Sequence, residues 1–203
     1  MTALDQAPVN ATLIRSSDLV ASPWKNGGGV TREIAAHPPG AALDAFAWRV
    51  SVADVAAAGP FSRFEGVDRT LVLLSGAGMT LAGDGGAHHV LDAPLARADF
   101  AGEAAIDATL HDGPTRDFNL MTRRATTRGL VAAWRAGPHR IERADTVLLF
   151  CATGTVQVAF DGATHTLNEM DTLRLDGPLR ALDVAVSGDG ALLAVSLDAT
   201  DPN

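Results

Sequence analysis

What most limits the fold of this chain is its punctuation. The 203 residues carry 20 glycines and 10 prolines, about 15% against a usual 12%, scattered between short β-rich runs. The runs 46–53, 70–74, 79–82, 88–91, 118–121, 147–151, 155–160 and 192–197 read as strands. Asp84-Gly85-Gly86 and Asp161-Gly162 lie between candidate strands, where Gly supplies the positive φ that tight hairpins need. The one helical signal is a single turn at 54–58, with Asp54 as N-cap and Gly59-Pro60 as its end. The chain is expected to be all-β.

Residues 70–91 can be laid on 146–167: Gly78 falls on Gly154, Asp84-Gly85 nearly on Asp161-Gly162, and His89-Val90-Leu91 on His165-Thr166-Leu167. A register of about 76 residues is too long for a solenoid. It fits two tandem β-sandwich or barrel units, each closing its own sheet.

Composition removes several function classes. Sixteen Lys+Arg against 24 Asp+Glu leave a formal charge of −8, which repels nucleic acid. No run approaches the roughly 18 apolar residues of a membrane helix, the densest being 147–152. The first ten residues, MTALDQAPVN, have neither a basic segment nor an apolar one, so a cytoplasmic place is expected. The lone Cys151 sits in an apolar run, no Cys cluster exists for zinc or iron–sulfur, and no G-x-S-x-G elbow is present.

The most unusual segment is Pro23-Trp24-Lys25-Asn26-Gly27-Gly28-Gly29-Val30-Thr31-Arg32-Glu33, which holds the chain's single lysine. Three consecutive glycines allow backbone N–H groups to approach a ligand closely. The order of residues is not that of a P-loop, because Lys precedes the glycines and a strand-like run follows. Together with FAWRVSVADV, GPFSRFEGVDRTLVLLSGAGMTL and DGPTRDFNLMTRR, this segment resembles the HutD/Ves family over about residues 13–197. The resemblance implies a double-cupin (bicupin) β-barrel or sandwich spanning 1–203, with cupin-like halves near 11–122 and 123–200. It also implies a part in regulating histidine breakdown and the binding of an anionic pathway intermediate such as formylglutamate.

Alternate strand residues share a face. Thr31 and Glu33 therefore point together. Arg49 and Ser51 oppose a core seam of Phe46, Trp48, Val50 and Val52, and Asp117 and Asn119 alternate with Phe118 and Leu120. Cupin barrels are often open at one mouth. There we expect Lys25, Asn26, Thr31, Glu33, Arg49, Ser51, Asp117 and Asn119 to converge, joined by Arg69 unless it pairs with Asp68 at the surface. Arg49 is expected to grip a carboxylate, with Glu33 or Asp117 fixing its guanidinium. A purely structural Arg49–Glu33 pair would instead make Arg49→Ala cost on the order of 3 kcal/mol for an orphaned buried carboxylate. Gly59-Pro60-Phe61-Ser62 reads as a rigid turn packing Phe61.

A cupin metal site needs strand histidines two apart. His88 and His89 are adjacent, the next Glu is Glu103, His165 stands apart, and His37, His111 and His139 lie in loop-like contexts. No metal, no cofactor and no catalytic set is assigned. The expectation is a metal-independent binding protein for a small anionic metabolite, with sheet edges that allow a homodimer. The alternative is a metal-free or metal-dependent cupin isomerase or hydrolase acting on a similar acid, with Glu33 or Asp117 as base in the metal-free case if burial raises its pKa.

Overall fold

The structure, a computed structural model, describes residues 9–86 and 88–200. Among them, apart from 3-10 turns at Ser16–Asp18 and Asp84–Gly86, the regular elements are strands. In the first two thirds of the chain these are β1 (Asn10–Ile14), β2 (Ala21–Pro23), β3 (Gly29–His37), β4 (Trp48–Val55), β5 (Gly59–Pro60), β6 (Val67–Ser75), β7 (Met79–Gly83), β8 (His88–Leu91), β9 (Arg97–Ala101), β10 (Ile106–Leu110) and β11 (Thr115–Arg123). They are followed by β12 (Thr127–Trp134), β13 (Gly137–Thr153), β14 (Thr155–Phe160), β15 (Ala163–Asn168), β16 (Thr172–Gly188) and β17 (Ala191–Ala199).

The described residues form two compact units, one from Ser17–Gly129 with Ala199 and Thr200, the other from Leu130–Asp198 with residues 9–16. In the first, a six-stranded sheet ordered β2-β3-β4-β11-β6-β9 faces a four-stranded sheet ordered β5-β10-β7-β8. Ala53, Leu71, Leu73 and Ala98 of the larger sheet pack on Met79, Leu81, Ile106 and Ala108 of the smaller. Such interdigitation of two inner faces is the core of a β-sandwich.

The second unit is a seven-stranded sheet ordered β12-β17-β13-β16-β14-β15, with β1 added to β16. Val147, Leu149, Cys151, Val156, Leu173, Leu175, Leu192 and Ala194 fill its interior. The 76-residue echo is a real similarity of chain path: β7-β8 and β14-β15 are matching antiparallel hairpins. Gly78 and Gly154 enter them with φ of 117° and 67°, a region where a Cβ clashes with the backbone.

Three local expectations are overturned. Residues 11–14, grouped by sequence with the N-terminal half near 11–122, lie in β1, which pairs with β16 from Asn10↔Asp176 to Ile14↔Thr172. It is tied there by buried Asp171, which accepts from Arg15 Nη1 at 2.7 Å, Ser16 N at 2.9 Å and Asn168 N at 3.1 Å. Asp54 caps no helix, because β4 runs through it to Val55 and Arg116 Nε and Arg32 Nη1 donate to its two oxygens at 2.6 and 2.5 Å. Burial opposes its charge, yet the Arg116 and Arg32 hydrogen bonds hold the carboxyl below its ordinary range. Phe46 precedes β4 and leaves the Trp48–Val50–Val52 seam, packing instead with Val67 and Met121.

Candidate functional site

Antiparallel pairing converts the period-two alternation of β3, β4, β11, β6 and β9 into rows across one inner face. Thr31, Ala53, Asp117 and Leu73 make one row, Glu33, Ser51, Asn119, Leu71 and Ala98 the next, and Arg49, Met121, Arg69 and Phe100 the third. The Leu71 and Leu73 side of this face is filled by the opposing sheet. The remainder opens into a cavity of about 560 Å³, within the range of small-molecule sites.

Lys25, Asn26, Thr31, Arg49, Ser51, Arg69, Asp117 and Asn119 all line this cavity. Glu33 does not. It stands behind Arg49, accepting from Arg49 Nε at 2.7 Å, while Arg49 Nη1 donates to Ser51 Oγ at 3.3 Å. The Glu33 side chain is 40% exposed against 13% for Arg49. Loss of Arg49 therefore leaves a carboxylate that water can solvate, and the penalty falls to about 1 kcal/mol or less rather than the value for a buried orphan.

Arg69 is only 8% exposed and does not pair with Asp68, which is engaged at the surface by Arg124. Strand alternation turns neighbouring side chains to opposite faces, so the two cannot meet. The Arg69 guanidinium lies 5.2, 5.8 and 5.1 Å from the ring centres of Phe61, Phe64 and Phe100, a cation–π enclosure. It donates to Ser62 O and Asn119 Oδ1, each at 3.3 Å, and Nε has no partner. Among the described residues no carboxylate makes an ion pair with it. Burial pulls its pKa down to about 10, opposed by Asp117 and assisted by Arg49.

Asp117 is 2% exposed, and its buried Oδ2 accepts no hydrogen bond. Burial pushes its carboxyl up to about 7, with Arg69 lowering and Asp54 raising it. Of the two carboxylates expected to fix the Arg49 guanidinium, Glu33 holds it, and Asp117 acts electrostatically on Arg69 instead.

The glycine-rich loop builds the mouth. Asn26 Oδ1 accepts from Gly28 N at 3.0 Å, a local turn that leaves its amide N–H₂ for other partners. Trp24 Nε1 donates to Thr31 Oγ1 at 2.7 Å. Gly29 is compulsory here, since a Cβ would lie 2.5 Å from Asp54 O and 3.2 Å from the Trp24 ring. Gly29→Ala is expected to lose about 2 kcal/mol through overpacking, read by urea unfolding, and to shift tryptophan emission as Trp24 is displaced.

Sequence reading missed the aromatic contribution. Phe61 was placed only as a turn residue and Phe64 was not singled out, although the run Gly59-Pro60-Phe61-Ser62-Arg63-Phe64 carried the signal of closely spaced aromatics. The segment instead pairs as β5 with β10 and brings both rings under Arg69.

Among the described residues the second unit does not repeat this polar set. Thr70 opposes Leu120 and Thr146 opposes Leu197, so Asp117 and Asn119 correspond to Ala194 and Ser196, and Arg69 to Asp145. Elsewhere, His37, His139 and His165 stack on Trp48, Trp134 and Phe160, and His111 bonds Thr80 Oγ1 at 2.8 Å. Among the described residues no group of three or more His, Cys, Asp or Glu is arranged to hold a metal ion. Burial pushes the Cys151 thiol up to about 11, which suppresses the nucleophilic thiolate. No helix among the described residues is long and apolar enough to cross a membrane.

Comparison with known proteins places this geometry. An uncharacterized 21.2 kDa protein from the hutC 3' region of Pseudomonas putida is 39% identical over 183 residues, 89% of this chain and 95% of that protein. Protein Ves of Cronobacter sakazakii is 45% identical over 109 residues, 53% of this chain and 58% of its own. The structure of HutD from Pseudomonas fluorescens SBW25 superposes with a TM-score of 0.83 at 35% identity, covering 95% of this chain and 100% of that one. Oxalate decarboxylase of Lactobacillus farciminis, 10% identical with a TM-score of 0.63 over 98% of this chain and 88% of its own, shares the fold alone. That likeness makes the two-unit architecture a bicupin sandwich. The HutD family model matches residues 16–194, and with these relatives it establishes that the chain belongs to the HutD family.

Proposed function

We propose that this chain is a metal-independent cytoplasmic binding protein for a small carboxylate of histidine degradation, formylglutamate being the lead candidate, and that binding serves regulation of the pathway. The observation that carries this reading is Arg69, a buried guanidinium on the wall of a cavity with no carboxylate in ion-pair contact among the described residues, the buried Asp117 acting on it only through space. Buried cations are ordinarily compensated, and an anion in the cavity supplies what the fold omits. Lys25 and Arg49 add positive charge to the same walls in a chain of net −8, so the cationic character is local. The family and the hutC-region relative supply the pathway. The HutD structure of Pseudomonas fluorescens was solved in a formate condition, and formate is the simplest carboxylate.

Calorimetric titration with formylglutamate, formiminoglutamate, urocanate and histidine tests the ligand, with Trp24 fluorescence as a second readout from the cavity wall. Saturable binding of an acid is expected; failure of all four removes histidine degradation as the source. Arg49→Lys is expected to weaken acid binding about tenfold, because the planar fork is lost while charge is kept. Its melting temperature should stay within about 2 °C of the parent, because the Glu33 pair is half-exposed. A destabilised variant with unaltered affinity would move the site away from Arg49.

A second reading has one observation in its favour. A carboxyl pushed up to about 7 is suited to proton transfer, so Asp117 would serve a metal-free enzyme acting on the same acid. Proton NMR of protein with formylglutamate separates the two, since new product resonances support turnover and an unchanged spectrum supports binding alone.

A further inference from the structure

We propose that Asp117 enters the complex as a carboxylic acid and donates its proton to an oxygen of the bound acid, so that the cavity takes up one proton with each carboxylate it binds. This rests on the carboxylate-binding reading above and adds how that site selects and regulates its occupant.

The argument begins with position. Asp117 lies on β11 two residues from Asn119 and on the same face, and Asn119 Oδ1 accepts from Arg69 Nη2. Asp117 and Arg69 therefore belong to one wall of the cavity. Asp117 is 2% exposed, and its Oδ2 has no donor aimed at it. An ionised carboxylate in such a place is poorly satisfied, whereas a carboxylic acid becomes a donor in need of an acceptor. A ligand oxygen is the acceptor the cavity admits.

The surrounding charges decide the sign. From β6 comes Arg69, and from β4 come Arg49, already engaged by Glu33 of β3, and Asp54, held ionised by Arg32 and Arg116. Lys25 stands on the loop at the mouth. The four-stranded sheet contributes Met79, Leu81, Ile106 and Ala108 to the interior, none of them charged. Arg69 is thus the cation that favours the Asp117 carboxylate against its burial. When a ligand carboxylate engages Arg69, that favour is withdrawn and a second negative charge arrives beside the first. Two carboxylates sharing one dry site hold a proton between them. The proton comes from solvent and rests on Asp117, and the only bond formed is an O–H···O hydrogen bond to the ligand. In the free protein the Asp117 carboxyl stands near 7, so this uptake occurs in the neutral range. Ligands with a carboxylate or carbonyl oxygen at this point are accepted, and those presenting an ammonium there are not.

The experiment is calorimetry with N-formylglutamate and with glutarate from pH 6 to 8.5, each in two cationic buffers of different ionisation heat. Neither probe titrates in this range. Affinity is expected to be flat well below pH 7, to fall about fivefold from pH 7 to pH 8 and to approach tenfold per pH unit above that, as uptake approaches one proton. The buffer dependence of the heat counts that proton directly in the unaltered protein. Asp117→Asn, which donates at every pH, should lose the slope. Affinity independent of pH with no proton uptake overturns the role of Asp117 while leaving carboxylate binding intact, as does a variant that keeps the parental slope. Absence of binding by both acids at every pH overturns both readings.

Discussion

Arg69→Met is expected to bind formylglutamate at least a hundredfold more weakly, about 2.7 kcal/mol, while melting about 2–5 °C higher than the parent at pH 7. Both effects follow from one arrangement. The guanidinium is enclosed by Phe61, Phe64 and Phe100 and held by two long hydrogen bonds of 3.3 Å. Its desolvation is therefore incompletely compensated until an anion arrives. Methionine fills a similar space against the three rings without that penalty. Removing the cation also leaves no exposed opposite charge behind, because Asp117 without Arg69 is held neutral by its burial. Calorimetry and thermal unfolding on the same preparation check the pair of outcomes. Retained affinity would remove Arg69 from the site, and a melting temperature lowered by several degrees would make it a structural residue.

Asp117→Asn is expected to stabilise the protein by about 4 kcal/mol at pH 8 and to leave it almost unchanged at pH 4. The Asp117 carboxyl rises from an ordinary 3.8 to about 7 in the fold, so the native state binds its proton more tightly than the unfolded chain. Its contribution is fully favourable below pH 3.8 and is lost as pH rises through 7. A separation of about three pH units corresponds to the expected 4 kcal/mol. Asparagine keeps the shape and carries no charge, so the penalty disappears where the parent is ionised. Urea unfolding at the two pH values reads the difference directly, and equal stabilities at pH 8 would show that water or a hydrogen bond satisfies the carboxylate. Together with Arg69→Met, this describes a cavity whose polar groups lower the stability of the empty fold in exchange for a ligand.

Much of the polar set was legible because strand alternation is local. Thr31, Arg49, Ser51, Asp117 and Asn119 share an inner face because period two fixes side-chain direction wherever a run is a strand. The same rule failed at Phe46, which lies just outside β4, where the chain has left the pleat and the ring turns to Met121 and Val67. At Asp54 the local pattern suggested a helical cap, and two arginines from β3 and β11 kept the residue in a strand.

What the amino-acid sequence determined by itself is the β class, the doubled chain path and the face on which each strand residue points, since glycine placement and the pleat depend only on neighbouring residues. Which of those residues carries the chemistry was decided by tertiary structure. Arg49 and Arg69 look equivalent as inward arginines on the two apolar strands that flank β11, yet one leans on a half-exposed glutamate and the other is sealed among three phenylalanines. Asp54 and Asp117 are likewise the same residue type near one sheet, and one carboxyl is held below its ordinary pKa while the other is pushed up. The difference in each case is desolvation and the nearest opposite charge, and both are set by segments brought together from distant parts of the chain. Phe61 and Phe64 lie within eight residues of Arg69 in sequence, but Phe100 and Asn119 complete its surroundings only after β6 has paired with β9 and β11.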